Sequence, residues 1–375
     1  MSPVRLFARV TLAALVGLAP LLALTLSAEA VEALYVPWLG YPASLLLTGI
    51  TRHLPFCLAE WLEGATIVAV SGVVFGLGRA WWTGRISAEE GTRLGGWGLA
   101  AAVSTVGLAF YLSWGLHYGR PPAAERLGWT TAPLTTEDRA ELTALAEELI
   151  EVTNAHYLEL HGSTDAEVVS AIMEPAAIDA ATDDGWARAA RALRLPSRME
   201  VPRGPAKPLL SSPIFTRLGI SGFFFPFTGE ANYNTMPPRW QLPQTIAHEK
   251  AHQRGIASED EANFFGFVAC IHSNEPFVRY AGWLFAQRQI LRVLLQIDPE
   301  SAGELLQTRH PGVQRDVNAA HAFWTGYDGA AMDLGQAMND AYLKLNQVEG
   351  GALSYSRSAL LIVAWSRERE QERPL

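Results

Sequence analysis

Charge is scarce in this chain. Lys, Arg, Asp and Glu make up 18% of its 375 residues, against roughly 25% in soluble domains. The shortage falls on the N-terminal third. Residues 1–130 hold eight Arg, no Lys and seven Glu, a net of +1, which leaves 21 basic and 31 acidic residues, a net of −10, for 131–375. Neither part has the basic excess of a nucleic-acid binder, so nucleic acid is not expected among the partners. Cysteine is nearly absent: Cys57 and Cys270 alone exclude a disulfide scaffold and a Cys-rich zinc module. The 22 Pro and 32 Gly are scattered, which excludes a low-complexity chain. Apolar residues fill the space, at 49% of the total, and the length suggests about two domains.

The apolar residues of the first third form long runs. Val10 to Ala28 and Leu94 to Gly119 carry no formal charge, and Trp61 to Trp82 carries only Glu63 and Arg79 near its ends, where both can snorkel. Runs of this length cross a bilayer core of about 30 Å. The reading is a membrane domain over 1–120 with three transmembrane helices, near 8–28, 62–82 and 95–117. Ala28-Glu-Ala30 resembles a signal-peptidase site, but the run before it exceeds the roughly 7–15 residues of a signal core, so the first span reads as an uncleaved anchor. Ala33 to Thr51 is also uncharged, yet Pro37, Gly40 and Pro42 interrupt it. With Tyr35, Trp38 and Tyr41 it reads as an interfacial or re-entrant loop. Arg5 and Arg9 precede the first span, and Arg79, Arg85 and Arg93 surround the second-to-third connection. The positive-inside rule puts both in the cytoplasm and residues 121–375 outside it. The lipid bilayer is thus one expected partner, and the chain is expected to be a multi-pass protein of the cell membrane.

Pro121-Pro122 marks the exit from the membrane. Beyond it the pattern is mainly helical. Thr135 or Thr136 caps a helix that runs to about His161, with acidic residues at its positive end. Further helices are expected at 165–172, 176–193, 243–254, 258–272, 276–297, 312–325 and 330–346, with an irregular stretch at 197–215. Ile220 to Phe227 is aromatic-rich and reads as a strand, and Pro226 puts it at a sheet edge. Glu230, Asn232 and Asn234 follow in an apparent turn, placed either to hold a substrate backbone or simply to be solvated. The run 359–365 is too short to span and should pack on the core.

The segment Thr245-Ile-Ala-His248-Glu249-Lys250-Ala251-His252-Gln-Arg-Gly255 carries the chemistry. Positions four apart on a helix share a face. His248 and His252 therefore point two imidazoles at one ion, with Glu249 beside them to take a proton from water; this is the HExxH pattern. Zinc suits it, since catalytic zinc takes three protein ligands and keeps one position open. Lys250 is charged where the strictest form of the motif is not. Gly255 is placed to end the helix in a left-handed cap. Ser258 caps the next helix, and Glu261 would complete a capping box. That leaves Glu259 as third ligand, with Asn263 one turn on to buttress a histidine; Glu261 as ligand stays open. A third His at position 258, as metzincins need, is replaced by Ser258. For the oxyanion, His272, His321 and Tyr355 are candidate donors, with nothing to choose among them.

The run TIAHEKAHQRGIASEDEANFFGFVAC, with GISGFFFPFTGEANYN and YLKLNQVEGGALSYSRSALLIVAW, resembles the signature blocks of a bacterial family of membrane proteins defined only as a domain of unknown function. That family is similar to gluzincin metallopeptidases, which combine HExxH with a downstream ExxxD; Glu259 to Asn263 matches with Asn for the Asp. The resemblance implies a zincin-like, mostly helical α+β domain with a small edge-strand sheet over 121–375. It also implies Zn2+ held by His248, His252 and Glu259, Glu249 as general base, and a peptide or protein substrate added to the edge strand. The alternative is a non-catalytic, zinc-stabilised membrane sensor or scaffold.

Overall fold

The computed structural model describes residues 26–162, 173–345 and 357–371. The span expected at 8–28 lies outside them apart from its last three positions, as do the helix expected at 165–172 and Tyr355. Three described helices are long and apolar enough to cross a membrane: α1 (Ala28–Thr51), α2 (Leu58–Trp82) and α3 (Ala88–Ser113). α2 and α3 fit the second and third expected spans. α2, at 25 residues, is about 37 Å long. Residues such as Ile67, Val68, Phe75, Leu99 and Val103 stand exposed along the pair, as a lipid-facing surface would. Ser87 and Glu90 form a capping box at the start of α3.

α1 corrects the loop expected at 33–51. Pro37 lies inside a π-helical stretch, Val31–Gly40. The wider turns accommodate a ring that has no N–H to donate and would clash with a regular α-helical turn. Pro42 sits where the π-helical stretch gives way to the α-helical remainder. One face of α1 packs on the globular part: the Ser44 hydroxyl donates to the Gln253 carbonyl at 2.6 Å, and Glu32 accepts from Arg120 at 2.6 Å. Leu34, Trp38, Leu46 and Ile50 are exposed.

The globular part is mainly helical, as expected. Its longer helices are α4 (Arg139–His161), α5 (Pro175–Ala192), α6 (Leu242–Gln253), α7 (Glu259–Ile271), α8 (Pro276–Ile297), α9 (Pro311–Thr325), α10 (Ala330–Leu345) and α11 (Arg357–Gln371), with shorter ones at Ala123–Leu127, Ser212–Arg217 and Pro299–Gln307. One small sheet has the order β1-β3-β2, from β1 (Lys207–Pro208), β2 (Gly222–Phe225) and β3 (Glu230–Tyr233). β2 is an edge strand paired antiparallel to β3 alone. α6 and α7 lie at the centre, between α5, α8 and the sheet. Ile246, Ala247 and Ala251 of α6 meet Phe264, Phe265 and Val268 of α7, Trp186 of α5 and Leu284 of α8 in one buried core. Each such Phe or Leu contributes about 1.5–3 kcal/mol by burial. The run 359–365 packs on this core within α11.

The start of α2 is fastened to the sheet and to the chain after β1 by two carboxylates. Glu230 of β3 accepts from the Leu58 and Ala59 amides at 3.0 Å each, at the positive end of α2, and pairs with Lys207 of β1. Glu60 accepts from the Leu210 and Ser211 amides at 3.0 and 2.7 Å. Glu230 and its neighbours are thus not a solvated turn. Asn232 lies in the central strand, fully buried, and Asn234 donates to Thr216 and to the Ile220 carbonyl. The polar side chains read as substrate contacts are internal struts.

Candidate metal centre

His248 and His252 project from one side of α6. Their ring centroids are 4.7 Å apart and their Nε2 atoms 3.1 Å apart. The other nitrogen of each ring is occupied. The Ile256 carbonyl accepts from His252 Nδ1 at 2.6 Å, and Asn263 Oδ1 accepts from His248 Nδ1 at 3.0 Å. A carbonyl can only accept, so the His252 proton is on Nδ1 and its Nε2 presents a lone pair. Gly255 makes the Ile256 contact possible: at φ +82° it ends the helix in the left-handed cap expected of it and turns the chain back beneath the ring.

Glu259 closes the group. Its Oε2 lies 3.1 Å from His248 Nε2 and its Oε1 3.6 Å from His252 Nε2. Tetrahedral ligands on zinc at about 2.0–2.1 Å are separated by roughly 3.3 Å, so these three donors have the spacing of a metal site. The three groups also shift one another's titration. Burial alone would raise the Glu259 carboxyl, but the two imidazoles hold it at about 2. Burial also acts against a charged His248, yet the Glu259 bond and charge, with Glu249, raise it to about 9. Burial, reinforced by His248 against the pull of Glu259, lowers His252 to about 4.

Glu249 is buried behind the imidazoles, and its Oε2 has no hydrogen-bond partner among the described residues. Burial, partly offset by His248 and reinforced by Glu259, pushes it up to about 8. Its Oε1 lies against β2: a Cβ at Gly222 would stand 2.7 Å from it, so glycine is required for the close approach. Donor atoms of His248, Glu249 and His252 also lie within 4.8 Å of one another, but Glu259 approaches both imidazoles more closely.

Glu261 does not form the capping box expected of it. The Ser258 hydroxyl bonds Asp260, while Glu261 accepts from the Ala123 amide at 2.6 Å and pairs with Arg126. Lys250 turns away from the site. Fully buried, its ammonium meets Asp183 at 2.7 Å and Asp179 at 3.0 Å on α5, and Arg254 joins Asp183 at 2.9 Å. The charge that breaks the strict HExxH pattern is therefore internal to the α5–α6 packing.

The cluster opens on a cleft of about 850 Å³ lined by β2, α6, α8, α10 and the turn after α3. Phe224 and Trp114 wall the site, with ring centroids 4.6 Å apart and Trp114 5.9 Å from His252. His272 does not reach the cleft; its Nδ1 contacts the Val268 carbonyl at 2.8 Å. His321 is exposed on α9, outside the cleft lining. Sequence reasoning missed Tyr118, Arg288, Gln289 and Arg292, all of which line it. The available signal was the stripe Ala281, Phe285, Arg288/Gln289, Arg292, one face of a helix that changes from apolar to polar.

The chain belongs to the family described as protein of unknown function DUF3810, whose pattern it matches over residues 41–363. No curated protein and no solved structure matches it.

Proposed function

We propose that the protein is a membrane-anchored, zinc-dependent peptidase. The observation that carries the reading is the convergence of His248 Nε2, His252 Nε2 and Glu259 at 3.1–3.6 Å, with the unpartnered Glu249 carboxylate oxygen beside them. The fit to a cation rests on this donor set. Two imidazoles are locked so that their free nitrogens face each other, and an anionic oxygen stands by both. When bound, zinc would supply a Lewis acid for a carbonyl and lower the pKa of water towards about 7.

The remaining chemistry belongs to the chain. Glu249 takes a proton from the attacking water as its oxygen joins the carbonyl carbon, then returns it to the amide nitrogen as the C–N bond breaks. β2 offers its unpaired edge to an extended peptide, and Phe224 and Trp114 shield the reacting group from bulk water. In the gluzincin-like frame, Asn263 holds His248 in orientation. The arginines support an extracytoplasmic site: Arg79, Arg85 and Arg93 cluster at the far turn of the α2–α3 pair, opposite the end joined to the sheet.

The test uses the full chain in detergent. The parent should hold about one zinc, the content of a single three-ligand site. Glu249→Gln should keep zinc and fold while cleavage of a peptide library falls by about 10²–10⁴. Parental cleavage by Glu249→Gln refutes the peptidase and favours a zinc-stabilised scaffold. Undiminished zinc in a His248→Ala, His252→Ala double variant refutes the site itself.

A further inference from the structure

Arg288 and Arg292 lie one turn apart on α8, and both line the cleft that holds His248, His252 and Glu259. Like charges at this spacing repel. Several other arginines of the globular part are matched: Arg279, on the same helix, meets Glu159 at 2.6 Å, and Arg367 and Arg369 meet Glu141 and Glu148 at 2.6 Å each. Arg288 and Arg292 have no carboxylate partner among the described residues. Of the two acids that line the cleft, Glu259 pairs with the imidazoles and Glu249 lies against Gly222 of β2; neither forms an ion pair with Arg288 or Arg292.

Arg288 is also held in place. Its guanidinium carbon lies 5.7 Å from the centre of the Trp240 ring, and Trp240 is fixed by its own N–H, which donates to the Asp316 carbonyl at 3.1 Å. A guanidinium against an aromatic face is oriented without being neutralised. Burial, with the nearby Arg292 charge, lowers the Arg288 pKa. The cleft thus contains an oriented, half-buried cation and a second beside it, both without a counter-charge. Guanidinium pairs of this kind match carboxylate geometry.

We infer that Arg288 and Arg292 form a carboxylate-binding subsite, which selects peptides carrying an anionic group near the bond to be cut. This deepens the peptidase reading and rests on it. The carboxylate is that of a peptide C-terminus or of an Asp or Glu side chain, and the experiment separates the two.

Binding is measured on full-length, zinc-loaded Glu249→Gln, which should hold peptide without cutting it. The probes are three versions of one Glu-containing peptide: free acid, C-terminal amide, and the acid with its Glu replaced by Gln. Loss of the responsible carboxylate should weaken binding about ten- to a hundred-fold, the range for a hydrogen bond to a charged group. An amide penalty identifies the C-terminus, and a Gln penalty identifies a side chain. Arg288→Met and Arg292→Gln should each erase the discrimination with zinc content unchanged, and Arg288→Lys should restore part of it. Arg292 is exposed, so its variant reads the subsite even if Arg288→Met folds poorly. Equal binding of all three peptides, or discrimination that survives Arg292→Gln, overturns the subsite. Cleavage by the parent is scored separately: uniform cutting of all three peptides sinks the subsite and leaves the peptidase. Discrimination in binding without any cleavage by the parent does the reverse.

Discussion

Gly222→Ala is the sharpest perturbation of the site that replaces none of its charged groups. An alanine Cβ there would lie 2.7 Å from Glu249 Oε1, 2.8 Å from the Asn232 carbonyl oxygen and 2.8 Å from Thr245 Cγ2. Carbon–oxygen contacts rest at about 3.3 Å or more, so roughly 0.5–0.6 Å must be found in two directions at once. The Asn232 oxygen belongs to the central strand and cannot yield without breaking the ladder. The strain therefore falls on Glu249 or on the spacing between β2 and α6. Overpacking of this kind costs about 1–3 kcal/mol, or several degrees of Tm in a domain of this size. A displacement of a catalytic group approaching 1 Å costs about 10²-fold in rate. The three proposed ligands are untouched, so zinc content should stay near one per chain while peptide cleavage falls about 10²-fold. Zinc analysis, a melting curve and cleavage rates on the same preparation test this. An alanine variant that cleaves at the parental rate would refute the claim that Glu249 works from its place against β2.

Lys250→Met leaves Asp183 with Arg254 and Asp179 with only the Ala206 amide, and breaking such a buried pair costs about 3–5 kcal/mol; thermal unfolding should show a large fall in Tm, partly relieved by a second Asp179→Asn change. Acid unfolding follows from the same cluster. Burial acts to raise Asp183, but Lys250 and Arg254 hold it below its usual 3.8, whereas burial raises Asp179, which therefore takes its proton first. A lowered folded pKa gives stability that is present above 3.8 and lost as pH falls through the folded value. Asp183→Asn should thus be less stable than the parent at neutral pH and lose less on acidification, measured by urea unfolding from pH 7 to pH 3. For sidedness, a reporter active only outside the cytoplasm should work when fused after residue 130 and be silent near Arg85; the opposite pattern places the cleft in the cytoplasm.

The local signals in the sequence located the two central helices to within one residue, at 242–253 and 259–271 against 243–254 and 258–272. Helix period, a glycine cap and the preference of Ser258 for a cap position are properties of neighbouring residues. What escaped was polar pairing across long distances in the chain. Lys250 looked like a defect of the motif because its partner Asp183 is 67 positions away. Glu230 looked like a turn residue because the amides it caps are more than 170 positions away. Pro37 read as a break in α1, whereas the π-helical stretch that holds it packs on residues far along the chain, with Glu32 on Arg120 and Tyr35 on His117. Glu261 was given a local cap because Arg126, 135 positions away, carries no local mark.

That last error shows how the cleft wall is built. Residues 259 and 261 are two steps of about 100° apart on a helix, so they face nearly opposite sides of α7. Glu259 and Asn263 face the α6 imidazoles, while Glu261 grips the chain that has just left α3, through the Ala123 amide and Arg126. The same stretch is tied again by Arg120, which donates to Glu32 at 2.6 Å and to the Gly255 carbonyl at 2.7 Å. Trp114, the residue after the end of α3, is meanwhile packed on Phe224 of the edge strand. The glycine that ends the histidine helix, the carboxylate behind the Glu259 turn and the edge strand thus all hold the segment that follows the last apolar helix. One wall of the cleft is this segment, so the distance between the cluster and the end of α3 is set by side-chain bonds rather than by a free linker.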